Sequence, residues 1–113
     1  MKLQNAERAI IDPEKLRSYV LSTSHPVGRF KAALFQRLGY SAESWERLAS
    51  DLRSQHLSQD ATLRERNVYG QKYEIRGTLV GPAAIPAEIV SVWIILEGED
   101  VPRFITAFPG GVR

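Results

Sequence analysis

The spacing of apolar residues changes near residue 60. Before it they recur at helical intervals; after it they alternate or run together. Over 26–38, Val27, Phe30, Leu34, Phe35 and Leu38 share one face of a helix. Pro26 suits the first helical position, and Gly39 suits the left-handed residue that ends a helix. Lys31 falls inside that apolar arc, so its amine must snorkel, pair or accept a lowered pKa. Upstream, Ala9-Ile10-Ile11 reads as a short extended piece. Asp12-Pro13-Glu14 then predicts a helix start, with an acid at the cap and proline at N1. That helix runs to about Leu21 and buries Leu16, Tyr19 and Val20. Ser41 is expected to cap a third helix over 42–57, with Trp45, Leu48, Ala49 and Leu52 on one face.

Past residue 60 a weak strand is expected at Ala61–Arg66. Residues 72–80 alternate clearly, with Tyr73, Ile75 and Leu79 on one side and Lys72, Glu74, Arg76 and Thr78 on the other. The segment 87–97 is apolar on both faces, which suits a central strand. Arg103–Phe108 returns as a last strand. Helices followed by strands predict an α+β fold: three N-terminal helices packed on one face of a three- to four-stranded antiparallel sheet, forming a single domain over residues 1–113. The opposite face carries Glu74, Arg76 and Thr78. Beside them lie either Ser91 and Trp93 or their neighbours, and either Arg103 or Thr106. That face is a ligand surface with an exposed tryptophan, or simply a wet sheet face.

Composition narrows the chemistry. The chain has 113 residues, 43% of them apolar and 25% charged, an ordinary globular balance. With no cysteine, disulfide frameworks, thiol nucleophiles and cysteine zinc sites are excluded. No apolar run is long enough to cross a membrane, and Met1–Arg8 has no apolar signal-peptide core, so a cytoplasmic protein is expected. The two histidines, His25 and His56, have no metal-binding spacing. No metal site and no cofactor are expected, and His56 reads as structural or as a surface residue at a helix end. Phosphate-cradling glycine motifs are absent. The net charge is only +2, but Arg29, Lys31 and Arg37 cluster on the second helix. They form a basic face for phosphates or one part of a mixed-charge surface.

What remains is a metal-free set: His25, Lys31, Tyr69, Tyr73, Arg76, Arg103 and Thr106. Such groups can cleave RNA, whose own 2′-OH is the nucleophile, by moving protons and stabilising a charged phosphorus centre. His25 would exchange protons. Lys31 and an arginine would hold the phosphate, and Tyr69 or Trp93 would stack on an unpaired base. The plain alternatives are a helix-entry histidine, a snorkelling lysine and a strand-end arginine.

Two blocks of motifs resemble a known family. His25-Pro26-Val27-Gly28, Lys31-Ala32, Phe35 and Leu38-Gly39-Tyr40 form the first. Tyr69-Gly70, Tyr73, Gly81-Pro82, Trp93-Ile94, Pro102-Arg103 and Thr106 form the second. Together, over about residues 5–109, they resemble an uncharacterised bacterial domain family. It occurs as small stand-alone proteins and at the C-termini of filamentous-haemagglutinin and contact-dependent-inhibition proteins. The resemblance implies a toxin, and the layout looks like the barnase, EndoU, colicin E5 and RelE group of metal-independent ribonucleases. It carries over His25, Lys31, Tyr69, Tyr73, Arg103 and Thr106. Ser91 stands where the family pattern leads one to expect threonine, and Ala83-Ala84 where Asn-Gly would be usual. The expectation is a ribonuclease toxin of a toxin–antitoxin pair, cleaving tRNA or mRNA. His25, Lys31, Arg103 and Thr106 would be catalytic; Arg29, Tyr69, Tyr73, Arg76 and Trp93 would bind RNA. An acidic antitoxin would be its partner. The alternative is a non-catalytic binding module: an antitoxin, immunity or adaptor protein. A phage or virion accessory domain is a third.

Overall fold

The computed structural model describes residues 1–21 and 28–110, without the side chains of Tyr19 and residues 29–31. After a 3-10 turn at Ala6–Arg8, helix α1 is one turn, Pro13–Lys15, that widens into a π-helical segment, Leu16–Val20. Helix α2 spans Gly28–Arg37. A 3-10 turn, Ala42–Ser44, leads into α3, Trp45–Asp51, which widens into a second π-helical segment, Leu52–His56. Four strands follow: β1 (Thr62–Arg66), β2 (Gly70–Val80), β3 (Pro86–Leu96) and β4 (Arg103–Pro109). They form an antiparallel sheet in the order β1-β2-β3-β4. The α+β class and the antiparallel sheet agree with expectation. The helices are shorter and more broken than expected, and the third, where it was expected, ends at His56 in the middle of the chain, so the helices are not all N-terminal.

The two widenings share a cause. In a π-turn, residues five apart stack over one another. Leu21 N–H donates to Leu16 O (2.8 Å), and Leu57 N–H donates to Leu52 O (2.9 Å). An α-helix would turn the second leucine of each pair away from the first. Here Leu16, Leu21, Leu52 and Leu57 are all buried. Burial of two side chains outweighs the poorer hydrogen-bond geometry of the wider turn.

The predicted helix ends at Asp12-Pro13 and Gly39 hold; Ser41 precedes the third helix without a side-chain capping hydrogen bond, and Pro26 lies outside the described residues. Asp12 Oδ1 accepts from Glu14 N–H at 3.0 Å, and Pro13 occupies N1. At the end of α2, Gly39 has φ +100°, Gly39 N–H donates to Gln36 O and Tyr40 N–H donates to Phe35 O. This is a Schellman ending, with the expected apolar contact made by the Phe35 and Tyr40 rings, 6.4 Å apart. The β2–β3 connection docks on it. Ala83 N–H donates to Leu38 O (3.0 Å), and a Cβ on Gly39 would lie 2.7 Å from Ala83 N. A Cβ on Gly81 would lie 2.5 Å from Leu38 O and 2.7 Å from the Tyr40 ring. The Leu38-Gly39-Tyr40 and Gly81-Pro82 motifs are therefore two halves of one packing contact. Tyr40 is buried and donates to Asp51 Oδ2 (2.6 Å), which Arg47 Nε also meets at 3.0 Å. Burial and that carboxylate raise the Tyr40 pKa, so the phenol stays protonated.

One core lies between the helices and one sheet face. It holds Leu16, Phe35, Leu48 and Leu52 from helical segments, Ile75 and Leu79 from β2, Ile89 and Trp93 from β3, and Phe104 and Ala107 from β4. The register pairs Tyr73 with Trp93 and Ile75 with Ser91. Trp93 therefore shares the helix-covered face with Tyr73 and Ile75, and it is fully buried. The expectation of an exposed Trp93 on the open face is overturned. A strand apolar on both sides does not reveal which side the helices take; its neighbour's register does.

A buried chain of hydrogen bonds fixes this face. Trp93 Nε1–H donates to Ser91 Oγ (2.9 Å), Ser91 Oγ lies 2.8 Å from His56 Nδ1, and His56 Nε2 lies 3.1 Å from Gly77 O. Gly77 O can only accept, so His56 carries its proton on Nε2. Nδ1 then accepts from the Ser91 hydroxyl, which in turn accepts from Trp93. Burial lowers the His56 pKa. His56 is structural, as expected, but it is a neutral core residue rather than a cation at a helix end.

Candidate functional site

A cleft opens beside β4, and the reason lies in the first dozen residues. The extended piece at Ile10 pairs in parallel with the start of β4: Ile10 N–H donates to Pro102 O, and Phe104 N–H donates to Ile10 O, both at 2.9 Å. Asp12-Pro13 then turns the chain into α1. The helix leaves the strand edge, and a cleft of about 460 Å³ remains between them. Asp12, Glu14, Lys15, Ser18, Ile105 and Thr106 line it. The π-helical segment after α1, and α2 as well, pack against β4.

A bulge in β4 shapes the other wall. Arg103 pairs with Ile94 and Phe104 with Trp93, but Val92 pairs with Thr106, leaving Ile105 as the extra residue. Strict alternation would place Arg103 and Thr106 on opposite faces. The bulge instead puts both on the register positions that oppose the helix side, and it turns Ile105 and Thr106 toward the cleft.

The cleft's two carboxylates are already engaged. Asp12 caps Glu14, while Ser18 Oγ donates to Glu14 Oε2 (2.8 Å) and Arg17 pairs with Glu14. These contacts, Ser18 first, hold the Glu14 carboxyl below the usual carboxylate range. Lys15 is exposed and, among the described residues, makes no ion pair or side-chain hydrogen bond.

The expected site residues do not all meet there. Thr106 lines the cleft; Arg103 does not. Arg103 makes a two-pronged pair with Glu99, Nε to Oε1 at 2.9 Å and Nη2 to Oε2 at 3.1 Å. The pair raises the Arg103 pKa and lowers that of Glu99. Tyr69 is 69% exposed at the β1–β2 tip, where Asn67 Oδ1 accepts from Tyr69 N–H and Gly70 N–H. Tyr73 lies on the helix-covered side and lines a smaller hollow of about 210 Å³ with Leu63, Arg66 and Gln71. Arg76 lies on the opposite face and donates to Gly110 O at 2.9 Å. Trp93, being buried, has no face to offer a base, and that assignment is corrected. His25 lies outside the described residues, as do the side chains of Arg29 and Lys31, so the expected meeting of His25, Lys31 and Arg103 falls there too. Sequence reasoning missed Lys15 as a cleft residue. The signal was present, since an extended piece meeting Asp-Pro before a helix places the helix's first turn beside whatever strand the piece joins. Among the described residues no group of three or more histidine, aspartate or glutamate side chains could hold a metal ion, and no helix is long and apolar enough to cross a membrane.

A family model described as a domain of unknown function, DUF6883, matches residues 2–111. The chain belongs to the DUF6883 family. No curated protein matches it. Among solved structures, this DUF6883 chain is similar to a chain of a contact-dependent growth inhibition toxin–immunity protein complex from Klebsiella pneumoniae 342. The TM-score is 0.64 at 18% identity, covering 88% of this chain and 98% of that one. At that identity the likeness is one of fold, and it takes in nearly the whole DUF6883 domain.

Proposed function

We propose that this DUF6883 domain is the toxic member of a toxin–antitoxin or toxin–immunity pair, a metal-independent ribonuclease acting on tRNA or mRNA in the cytoplasm. The observation that carries this reading is how the positive charge is distributed. Of 15 lysine and arginine side chains, Lys2, Arg8, Arg17, Arg47, Arg64, Arg66, Lys72 and Arg103 pair with carboxylates. Arg53 and Arg76 donate to the carbonyls of Ala9 and Gly110. Among the described residues, Lys15 and Arg37 have neither kind of partner. They flank the stretch of sequence that holds His25, Arg29 and Lys31. Two of the cations left without a carboxylate or carbonyl partner among the described residues thus lie on the two helices that pack against β4. A phosphate backbone is the natural ligand of such a surface.

In this reading His25 takes the proton of the attacking 2′-OH and, as the imidazolium, returns a proton to the departing 5′-oxygen as the P–O5′ bond breaks, while Lys31 holds the phosphate that closes to a 2′,3′-cyclic product. Thr106 contributes a hydroxyl at the cleft, and Tyr69 stacks on a neighbouring base. An acidic partner protein covers the basic surface in the uncleaving state. The motif resemblance and the fold shared with a chain of a toxin–immunity complex support a place in such a system. The engagement of Arg103 by Glu99 favours the second reading, an immunity or other non-catalytic binding protein, because it removes one expected phosphate ligand.

Incubation of the purified chain with total RNA in the presence of a chelator tests the proposal. Discrete cleavage products are expected, and His25→Ala and Lys31→Ala should remove them while leaving the circular dichroism spectrum intact. A well-folded wild-type protein that leaves RNA whole, and whose expression does not slow growth, sinks the ribonuclease and leaves the binding module.

A further inference from the structure

The cleft beside β4 is sized for part of a single strand. About 460 Å³ lies within the roughly 300–1,000 Å³ range of small-molecule pockets, and a duplex is far wider. Among the described residues its one cation is Lys15. The other described groups are an apolar wall at Ile105, a hydroxyl at Thr106, the Asp12 carboxylate, which accepts from Glu14 N–H, and the Glu14 carboxylate, which is held by Ser18 and Arg17. Lys15 makes no ion pair among the described residues, whereas Glu14 is paired with Arg17; the unmatched ammonium beside an apolar wall suits an anionic group carrying a flat apolar body. One nucleotide of an unpaired RNA strand has that chemistry.

We infer that Lys15 is a substrate-binding residue, contacting a backbone phosphate of single-stranded RNA whose nucleotide enters the cleft between α1 and β4. The inference rests on the ribonuclease reading and adds to it a residue, a place and a strand state. Lys15 is one turn into α1, on a backbone fixed by the Asp12 cap and Pro13, so its ammonium is presented from a rigid base. Arg103, tied to Glu99, is a poorer candidate for the same phosphate.

The test measures binding of a fluorescently labelled single-stranded oligoribonucleotide, 2′-O-methylated so that it cannot be cleaved, by anisotropy across a salt series. Each phosphate contact to a single strand contributes about 0.7 to the slope of log K against log salt. Lys15→Ala should weaken binding and flatten that slope by about 0.7, and Lys15→Arg should restore it. Lys72→Ala, whose cation pairs with Glu65, should leave the slope unchanged. A Lys15→Ala slope equal to that of wild type, with the wild type binding normally, overturns the inference while sparing the ribonuclease. Equal affinity for the strand and for the same sequence in a duplex also overturns it. A wild-type chain that binds neither form overturns the ribonuclease reading and the inference together.

Discussion

Replacing Ser91 by alanine removes one oxygen from the middle of the core. The consequence should be large for so small a change. Ser91 is fully buried, and its hydroxyl serves two neighbours: it accepts from Trp93 Nε1–H at 2.9 Å and donates to His56 Nδ1 at 2.8 Å. Both neighbours are fully buried as well. His56 cannot turn to another partner without breaking its bond to Gly77 O. The space vacated is much smaller than a water molecule, so solvent cannot stand in. Each orphaned buried group costs about 1–3 kcal/mol, which predicts a loss of about 2–6 kcal/mol for the pair. Against a total stability of about 5–15 kcal/mol for a domain of this kind, that is a substantial fraction. Urea unfolding at neutral pH, followed by circular dichroism, gives the difference from the shift in midpoint at constant slope. The double variant with Trp93→Phe completes a cycle. Because phenylalanine no longer presents an N–H, Ser91→Ala should cost less in that background than in wild type. Ser91→Thr keeps the hydroxyl and should lose only what one extra methyl costs in a tight core, about 1–3 kcal/mol. A loss under about 1 kcal/mol for Ser91→Ala, or strict additivity in the cycle, would refute the relay as a stabilising unit.

Two further outcomes follow from the same core and from the helix ending. His56 is buried and neutral with a lowered pKa, so the unfolded chain takes up the proton first as pH falls. Stability should be flat above the ordinary histidine value of about 6.5 and decline below it, by up to about 1.4 kcal/mol per pH unit, until the folded-state value is reached. His56→Gln should flatten that part of the profile in urea titrations at stepped pH, whereas an unchanged slope would assign the acid sensitivity to other groups. Gly39→Ala forces a Cβ onto a residue at φ +100° and against Ala83 N at 2.7 Å, and should cost about 1–3 kcal/mol of thermal or urea stability. A neutral result would mean that the β2–β3 connection is not held against the end of α2.

Much of the architecture was legible because it depends on local rules. Asp12-Pro13 and Gly39 mark helix ends by backbone chemistry that needs no tertiary partner, and both ends lie where those residues place them. The period-two pattern of 72–80 located β2, and the continuous apolar run located β3. The candidate site was legible only in part. The clustering of cations on the second helix is a property of the sequence. That most of the remaining cations are cancelled by nearby acids is not, because Arg66 and Glu97, or Lys72 and Glu65, meet only through strand register.

The sequence by itself determined the α+β class, the strand positions, the helix ends at Asp12 and Gly39 and the absence of cysteine chemistry, since each follows from residue type and near-neighbour spacing. Tertiary structure decided the rest. It chose which face of β3 the helices cover, and so buried Trp93 against Phe104 and Ser91 instead of offering it to a ligand. It widened two helices so that leucines five apart could share the core, and it inserted Ile105 as a bulge that put Arg103 and Thr106 on matching register positions. It also set the first turn of α1 beside the edge of β4, making a cleft residue of Lys15. These choices turn on long-range contacts whose energies exceed local preference. A pattern read one segment at a time carries no information about which partner each face will meet.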